Sequence, residues 1–181
     1  MRSRKGYALL AAVAVVALGV AAIAVADNGG KKQVKAGTLV GYEENPDLSS
    51  PAKGEFHARI DNVAKTITYT LSYSGFTSPV QQAHIHFGKR AINGGISAFL
   101  CTNLGNGPAG TQACPQSGTV SGVIHAADVV GPTAQGIAPG EFDELVAAIR
   151  AGHAYVNVHT ANYPAGEIRA QLDDRNQRDD D

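Results

Sequence analysis

Hydrophobic and polar residues alternate along most of the chain from residue 36 onward, a period of two that is typical of β-strands with one buried face. The stretch KTITYTLSY, residues 65–73, shows it most clearly: its apolar side holds Ile67, Tyr69, Leu71 and Tyr73. The alternation recurs in AGTLVGYEE, GEFHARID, VQQAHIHFG, GGISAFLC, GTVSGVIHAADV, HAYVNVHT and GEIRAQLD. Since glycine, proline, asparagine and aspartate separate these segments, the pattern predicts an all-β protein, an antiparallel sandwich or barrel.

One segment follows a different period. In APGEFDELVAAIRAGH, residues 138–153, apolar residues recur at spacings of three and four, at Phe142, Leu145, Val146 and Ile149. Pro139 and three acidic residues suit the start of a helix, and Gly152 suits its end. We therefore expect one short helix, near residues 140–151, inserted between two strands.

The first 26 residues have the pattern of an export signal. Three basic residues precede an apolar run of about 20 residues, and the small residues Ala24 and Ala26 fit a cleavage site just before Asp27. The run is also long enough for an uncleaved membrane anchor. Because it is rich in alanine and valine and ends in small residues, cleavage and secretion are the better interpretation, with retention at the cell surface as the alternative.

The rest of the chain has the size of a single domain. We assign residues 27–35 to a polar linker, 36–173 to the domain and 174–181 to an acidic, disordered tail. Removing residues 1–26 takes away three basic residues and no acidic ones, which changes the formal net charge from −1 to −4. A chain with this charge and no basic stripe is not expected to bind nucleic acid, and it would contact a membrane only through an uncleaved N-terminal segment.

The chain has two cysteines, Cys101 and Cys114. In an exported protein such a pair predicts a disulfide that closes a local loop, worth roughly 3 kcal/mol of stability in the chain-entropy account. The enclosed residues, TNLGNGPAGTQA, are rich in turn formers and would be floppy without it. A metal or redox pair is the alternative, but the spacing fits neither a C-x-x-C motif nor a zinc knuckle.

Three histidines are the candidates for chemistry. In QQAHIHFGKR, His84 and His86 share one face of a predicted strand, with Cβ atoms about 6.5–7 Å apart, a span that one metal ion bridges with two imidazoles. In AYVNVHT, His159 lies on the same face as Tyr155 and Asn157. If the two strands pair, the three imidazoles converge, and such a set suits copper or zinc.

A structural role is the alternative for these histidines. The opposite faces of both strands are apolar and are expected to face the core, which leaves the histidines under loops or in solvent. There, histidines also serve as hydrogen-bonding struts. Asn157, Glu167 and Arg169 would complete a polar network that sets the register of the sheet. We weigh this role above the metal site.

Other chemistry has weaker support. The nucleophile elbow, the P-loop and the dinucleotide-binding fingerprint are all missing from the sequence. The glycine-rich stretches NGGIS and LGNGPAG are interpreted as turns. Glu43, Glu44 and Asp47 form an acidic cluster that suits a cation, but an exposed turn is the commoner explanation for it.

These residues also carry a resemblance to a known family. AHIHFGKRAINGGISAFLC and GEFDELVAAIRAGHAYVNVHTANYPAGEIRAQL resemble the two halves of a CHRD domain, the module named from its repeats in chordin, and the likeness covers about residues 36–173. Ala165 and Ala170 stand where the family often has glycine. The loop between the cysteines is similar to that of a bacterial, secreted branch.

The resemblance implies an extracellular, non-catalytic binding or structural module whose protein or ligand partner is unknown. It also implies a Greek-key-like sandwich of the immunoglobulin or superoxide-dismutase type. HIHFG is similar to the copper-binding strand of Cu/Zn superoxide dismutase: His84 and His86 match it, and His159 is the candidate for the later ligand. The sequence offers neither a bridging histidine nor a His-rich zinc loop between Gly88 and Val120, so dismutase activity is not expected.

Overall fold

The computed structural model describes residues 31–173. These residues form nine β-strands and one α-helix, α1 (Phe142–Arg150). The strands are β1 (Lys31–Ala36), β2 (Leu39–Val40), β3 (Lys53–Asp61), β4 (Thr66–Ser74), β5 (Val80–Phe87), β6 (Gly95–Thr102), β7 (Gly118–His125), β8 (Ala154–Thr160) and β9 (Ile168–Asp173). Their content confirms the prediction of an all-β protein with one short helix.

The strands are antiparallel and follow the order β6-β5-β8-β9-β1-β3-β4-β7, while the short β2 pairs with both β3 and β9. The neighbouring pairs β5–β8, β9–β1 and β4–β7 join strands that are distant in sequence, as in Greek-key connections. The two ends of this order approach each other, because Ala98 of β6 bridges to Val129 just after β7 and the Tyr69 hydroxyl of β4 donates to the Leu100 carbonyl of β6 at 2.7 Å. The sheet thus folds over a shared apolar core, as predicted for a sandwich.

The hairpin of β3 and β4 shows the alternation that the sequence predicts. In β4 the apolar side chains from Ile67 to Tyr73 are buried and the intervening residues are exposed or half-buried. In β3, Phe56 and Ile60 are buried while His57 and Arg59 face solvent. One face of this hairpin packs against the core and the other meets water.

The helix lies where its periodicity predicts it. Phe142, Leu145, Val146 and Ile149 are all buried, and Asp143 and Glu144 lie in the first turn, where negative charge is favourable. Gly152, just after the helix, has a φ of 70°, a left-handed conformation that glycine adopts without strain. The described residues contain no helix long and apolar enough to cross a membrane.

The N-terminal part of the domain differs from the sequence prediction. Residues 31–35 belong to β1, which pairs with β3 and β9, so the assignment of the whole segment 27–35 to a linker is wrong at its end. The segment holds three lysines and Gln33 beside a single buried apolar residue, Val34, so its local pattern is polar and cross-strand pairing decides its structure. The export signal, the start of the linker and the acidic tail lie outside the described residues.

The predicted strand AGTLVGYEE is also interrupted. After β2 the chain turns in a short 3-10 segment, Gly41–Glu43, whose first carbonyl accepts from the backbone N–H groups of Glu44 and Leu48. A Cβ added at Gly41 would lie 2.3 Å from the Leu48 carbonyl oxygen, so only glycine permits this closure. The turn carries the following residues over one face of the sheet, where they cover the candidate site.

The two cysteines form the predicted disulfide, Cys101–Cys114, which ties the end of β6 to the loop that follows it. Asn103 reinforces this loop, since its side-chain amide donates to the carbonyls of Val80 and Cys114 at 2.9 Å each. Its side-chain oxygen accepts from the Cys114 backbone N–H at 3.0 Å. The loop is thereby fastened to the start of β5, the strand that carries the histidine pair.

Candidate metal centre

The register of β5 and β8 brings the three predicted histidines together. The strands are adjacent and antiparallel, with His84 opposite Asn157 and His86 opposite Tyr155. Gln82 lies opposite His159, which places His159 diagonally across from His84. On its other side β5 pairs with β6 through two register shifts, one at each histidine. The residues skipped at these shifts, Leu100 and Ser97, belong to β6, so β5 itself stays regular at the histidines and its alternation keeps both imidazoles on the face that carries the ring of His159.

The ring nitrogens form a tight cluster. His84 Nδ1 lies 3.2 Å from His159 Nε2, and His86 Nε2 lies 3.3 Å from the same atom. One nitrogen of each ring lies within 4.8 Å of the other two. At metal–nitrogen distances of 2.0–2.1 Å, the two short separations correspond to N–metal–N angles of about 100–110°. The three rings therefore converge on one point, and a shared ion at these distances needs the third pair, His84 Nδ1 and His86 Nε2, to lie within about 4.2 Å of each other.

Backbone carbonyls determine the tautomers of two of the rings. His86 Nδ1 lies 3.0 Å from the Gly94 carbonyl oxygen, and His159 Nδ1 lies 3.1 Å from that of Pro164. Because a carbonyl only accepts, each Nδ1 carries the proton of its neutral ring, and this assignment rests on the bonding pattern. The two Nε2 atoms are then unprotonated, and their lone pairs face each other across 3.3 Å.

His84 does not close this network with hydrogen bonds. If its proton is on Nδ1, it donates to His159 Nε2, but His86 Nε2 and His84 Nε2 both remain without a donor. If its proton is on Nε2, that buried N–H has no acceptor among the described residues, and three lone pairs converge. A buried polar network is costly when it is only partly satisfied. A cation bound to His84 Nδ1, His86 Nε2 and His159 Nε2 gives the three converging lone pairs a common partner, and only the His84 Nε2–H then stays without an acceptor among the described residues. The residues present therefore fit a metal ion.

Burial lowers the pKa of all three histidines. His84 is 0% exposed, His159 5% and His86 6%. Desolvation is the largest cause, and it lowers the pKa of His84 to about 2, of His86 to about 3 and of His159 to about 4. Charge on a neighbouring ring lowers the pKa of His84 and His86 further. The imidazoles are therefore neutral near pH 7, the form that coordinates metal.

Aromatic rings enclose the cluster. The Phe99 ring lies nearly perpendicular to that of His84, with centroids 4.4 Å apart, and Tyr155 stacks on His86 at 4.9 Å with the ring planes within 8° of parallel. The Tyr155 hydroxyl accepts from the Gly94 backbone N–H at 3.0 Å, so this tyrosine also fastens the loop whose carbonyl orients His86. A partner that orients a ligand in this way is a common feature of metal sites.

The predicted polar network lies beside the histidines. Arg169 of β9 is 1% exposed, and its guanidinium carbon lies 3.4 Å from the centroid of the Tyr155 ring. It donates to the Lys89 carbonyl at 3.0 Å and to the side-chain oxygen of Asn93 at 3.4 Å. Arg169 thus holds the 88–94 loop against β8 and β9.

Glu167 anchors a second loop. It is 1% exposed, and its two oxygens accept from the hydroxyls of Ser50, at 2.7 Å, and Thr160, at 2.5 Å. The loop that follows β2 is therefore tied to the junction of β8 and β9. Asn157, Glu167 and Arg169 all lie on the buried polar side of the sheet, and each contacts a covering loop or its residues.

Glu44 is the member of this network that the sequence did not reveal. The sequence assigned it to an exposed acidic turn, but it is 6% exposed, and the Asn157 amide lies 3.5 Å from its Oε2. Burial is the largest cause that raises its pKa, to about 7, against the opposing attraction of Arg169. Neither its Oε1 nor the Asn157 Oδ1 has a hydrogen-bond partner among the described residues. Its neighbours Glu43 and Asp47 are less buried, as expected for a turn.

The loops explain where the histidines lie. The sequence placed them outside the apolar core, under loops or in solvent, and the structure places them under loops. The covering segments are 41–50, 88–94 and 161–166, which supply contacts from Glu44 and Ser50, from Lys89 to Gly94 and from Pro164. A buried polar layer therefore lies on the side of β5, β8 and β9 that faces away from the apolar core.

No curated protein and no solved structure gives a significant match to the chain. The likeness to superoxide dismutase therefore stays a prediction from the sequence. A family model described as the CHRD domain matches residues 36–172, which spans most of the chain and includes every residue of the centre described above. At the level of the family, this match supports a non-catalytic binding module. The chain belongs to the CHRD domain family.

Proposed function

We propose that this protein is a non-catalytic binding module, exported from the cytoplasm, that binds one copper or zinc ion at His84, His86 and His159. The observation that supports it is the convergence of ring nitrogens at 3.2 and 3.3 Å with no hydrogen-bonding arrangement that satisfies all of them. This reverses the weight that the sequence alone assigned to the structural role.

Burial favours binding over catalysis. A catalytic metal site keeps one coordination position open to water or substrate. Here the three histidines are at most 6% exposed, and aromatic rings and loops cover them. Export is supported by the sequence of residues 1–26 and by the disulfide, a bond that persists in oxidising compartments.

Metal analysis of the purified protein tests the proposal. Protein prepared through an export route and dialysed against a weak chelator is expected to keep about one copper or zinc ion per chain. The His84→Ala/His86→Ala variant is expected to lose that ion. The matched control is His57→Ala/His153→Ala, which removes two exposed histidines and is expected to bind like the parent.

Equal metal content in the parent and in the His84→Ala/His86→Ala variant would show that the three histidines are structural only. Circular dichroism of each variant establishes that it is folded before its metal is counted. If the double variant does not fold, His159→Gln replaces it, since this change removes one ligand atom and keeps a polar side chain of similar length.

A further inference from the structure

The identity of the bound ion follows from the charges around the centre, an argument that rests on the proposed function. The donors are three neutral imidazoles, so a bound ion keeps its full charge. Among the described residues, no carboxylate or thiolate joins the cluster of ligand atoms within 4.8 Å. Both cysteines are consumed in the disulfide. The first coordination sphere therefore supplies no negative charge.

The surroundings add positive charge. Arg169 lies against Tyr155, which itself stacks on His86, and its charge contributes to lowering the pKa of that histidine. The nearest buried carboxylates have other partners. Glu167 accepts from Ser50 and Thr160, and Glu44 lies against the Asn157 amide and interacts with Arg169.

The desolvation cost of an ion rises with the square of its charge. A divalent ion at a buried site without counter-charge therefore costs about four times as much as a monovalent one. The imidazoles are 0–6% exposed, so this cost is not relieved by solvent. The site disfavours Zn²⁺ and Cu²⁺ for the same reason, although both bind well to imidazole in exposed sites.

Coordination number points in the same direction. Zinc in proteins takes four ligands, and the fourth is a protein side chain or a water. Among the described residues no fourth histidine, cysteine or carboxylate joins the cluster, and the rings of Phe99 and Tyr155 pack against His84 and His86. A d¹⁰ monovalent copper ion is coordinatively satisfied by two or three nitrogen donors.

We infer that the three-histidine centre is selective for Cu(I), held by His84, His86 and His159 in a buried, three-coordinate site, over Zn(II) and Cu(II). The protein then binds copper in its reduced form and keeps it from water. No electron transfer is part of the inference, because copper is delivered and held in one oxidation state.

Competition titrations test this selectivity. Metal-free protein is titrated anaerobically with Cu(I) against a chromophoric Cu(I) chelator, and in separate experiments with Zn(II) and Cu(II) against chelators for those ions. The dissociation constant for Cu(I) is expected to be smaller than either of the others by about 100-fold or more. X-ray absorption of the Cu(I)-loaded protein is expected to show about three nitrogen neighbours.

The outcomes separate the two proposals. If Zn(II) or Cu(II) binds as tightly as Cu(I) and depends on the same histidines, selectivity for Cu(I) is wrong while the metal site stands. If the parent binds none of the three ions better than the His84→Ala/His86→Ala variant, the proposed function itself fails. The His57→Ala/His153→Ala protein, titrated in parallel, identifies binding to exposed histidines.

Discussion

Strands β4 and β8 are both regular antiparallel strands, yet they differ in how many faces they bury. In β4 buried and more exposed residues alternate, because one face packs on the core and the other meets water. In β8 all seven residues are buried. Its apolar residues Ala154, Val156 and Val158 face the core, while Tyr155, Asn157 and His159 lie beneath loops.

The difference shows what a second buried face requires. On β4 water can satisfy the threonines, whereas on β8 each polar group needs a partner from the protein or a ligand. Two histidines illustrate this. His57, on the β3 strand that pairs with β4, is exposed, whereas His84 on β5 is fully buried and has one ring nitrogen without a hydrogen-bond partner among the described residues. A functional site is therefore expected on the doubly buried strands and not on the hairpin.

Arg169→Ala is expected to have the largest effect on stability. The change removes a buried charge that holds the 88–94 loop and leaves Glu44 without its positive neighbour. We expect the free energy of unfolding to fall by about 3–5 kcal/mol, measured by urea denaturation. The matched change Arg59→Ala, on the exposed face of β3, is expected to alter it by less than about 0.5 kcal/mol. If both substitutions lowered the free energy of unfolding by a similar amount, the contacts of the buried Arg169 would contribute no more to stability than those of an exposed arginine.

The metal-free protein should lose stability in mild acid. The pKa values of His84, His86 and His159 lie near 2, 3 and 4, below their ordinary value of 6.5. Below pH 6.5 the unfolded chain therefore binds protons that the folded chain does not, and stability falls with pH. Glu44 has the opposite effect, because its pKa is raised from 4.5 to about 7. As the pH falls, the folded chain takes up a proton at Glu44 before the unfolded chain does, which offsets part of the loss of stability.

The net loss expected between pH 7.5 and pH 5.5 is about 2 kcal/mol, measured by urea denaturation at each pH. His57→Ala should leave this loss unchanged, because that histidine is exposed in the folded protein. A stability that is constant over this range would show that the three buried histidines accept protons as readily as those in the unfolded chain.

Glu44→Gln is expected to have a smaller effect, on the pH dependence of stability. The substitution removes the carboxyl whose protonation offsets that of the histidines. The loss of unfolding free energy between pH 7.5 and pH 5.5 should therefore grow by about 1–2 kcal/mol. The control is Glu55→Gln, an exposed carboxylate on β3 that should leave the loss unchanged. An unaltered pH dependence in Glu44→Gln would indicate that the buried carboxyl does not change its protonation on folding over this range.

Much of the fold and most residues of the candidate site could be predicted from local pattern. A period of two places His84 and His86 on one face, and a period near 3.6 places the helix at Phe142–Arg150. The loop disulfide was also predictable, since the two cysteines flank a turn-rich segment. These features depend on residues that are close in sequence, so the sequence is enough to recognise them.

Glu44 and β1 show what could not be predicted. An acidic residue in a polar turn has the same local pattern whether the turn faces water or folds over a sheet. Glu44 is buried because Gly41 lets the chain close on Leu48 and cross the face of β8 and β9. Likewise, the polar β1 segment becomes a strand through its pairing with β3 and β9.

Local sequence pattern is enough to show which residues alternate, which segment is helical, which cysteines pair and which histidines share a strand face. The pairing of β5 with β8, the register that sets His84 and His86 beside His159, and the burial of all three rings under loops come from long-range contacts. The physical reason is the range of the interactions. Side-chain periodicity is set by neighbours a few residues apart, whereas a buried centre depends on contacts between residues as distant as His86 and His159.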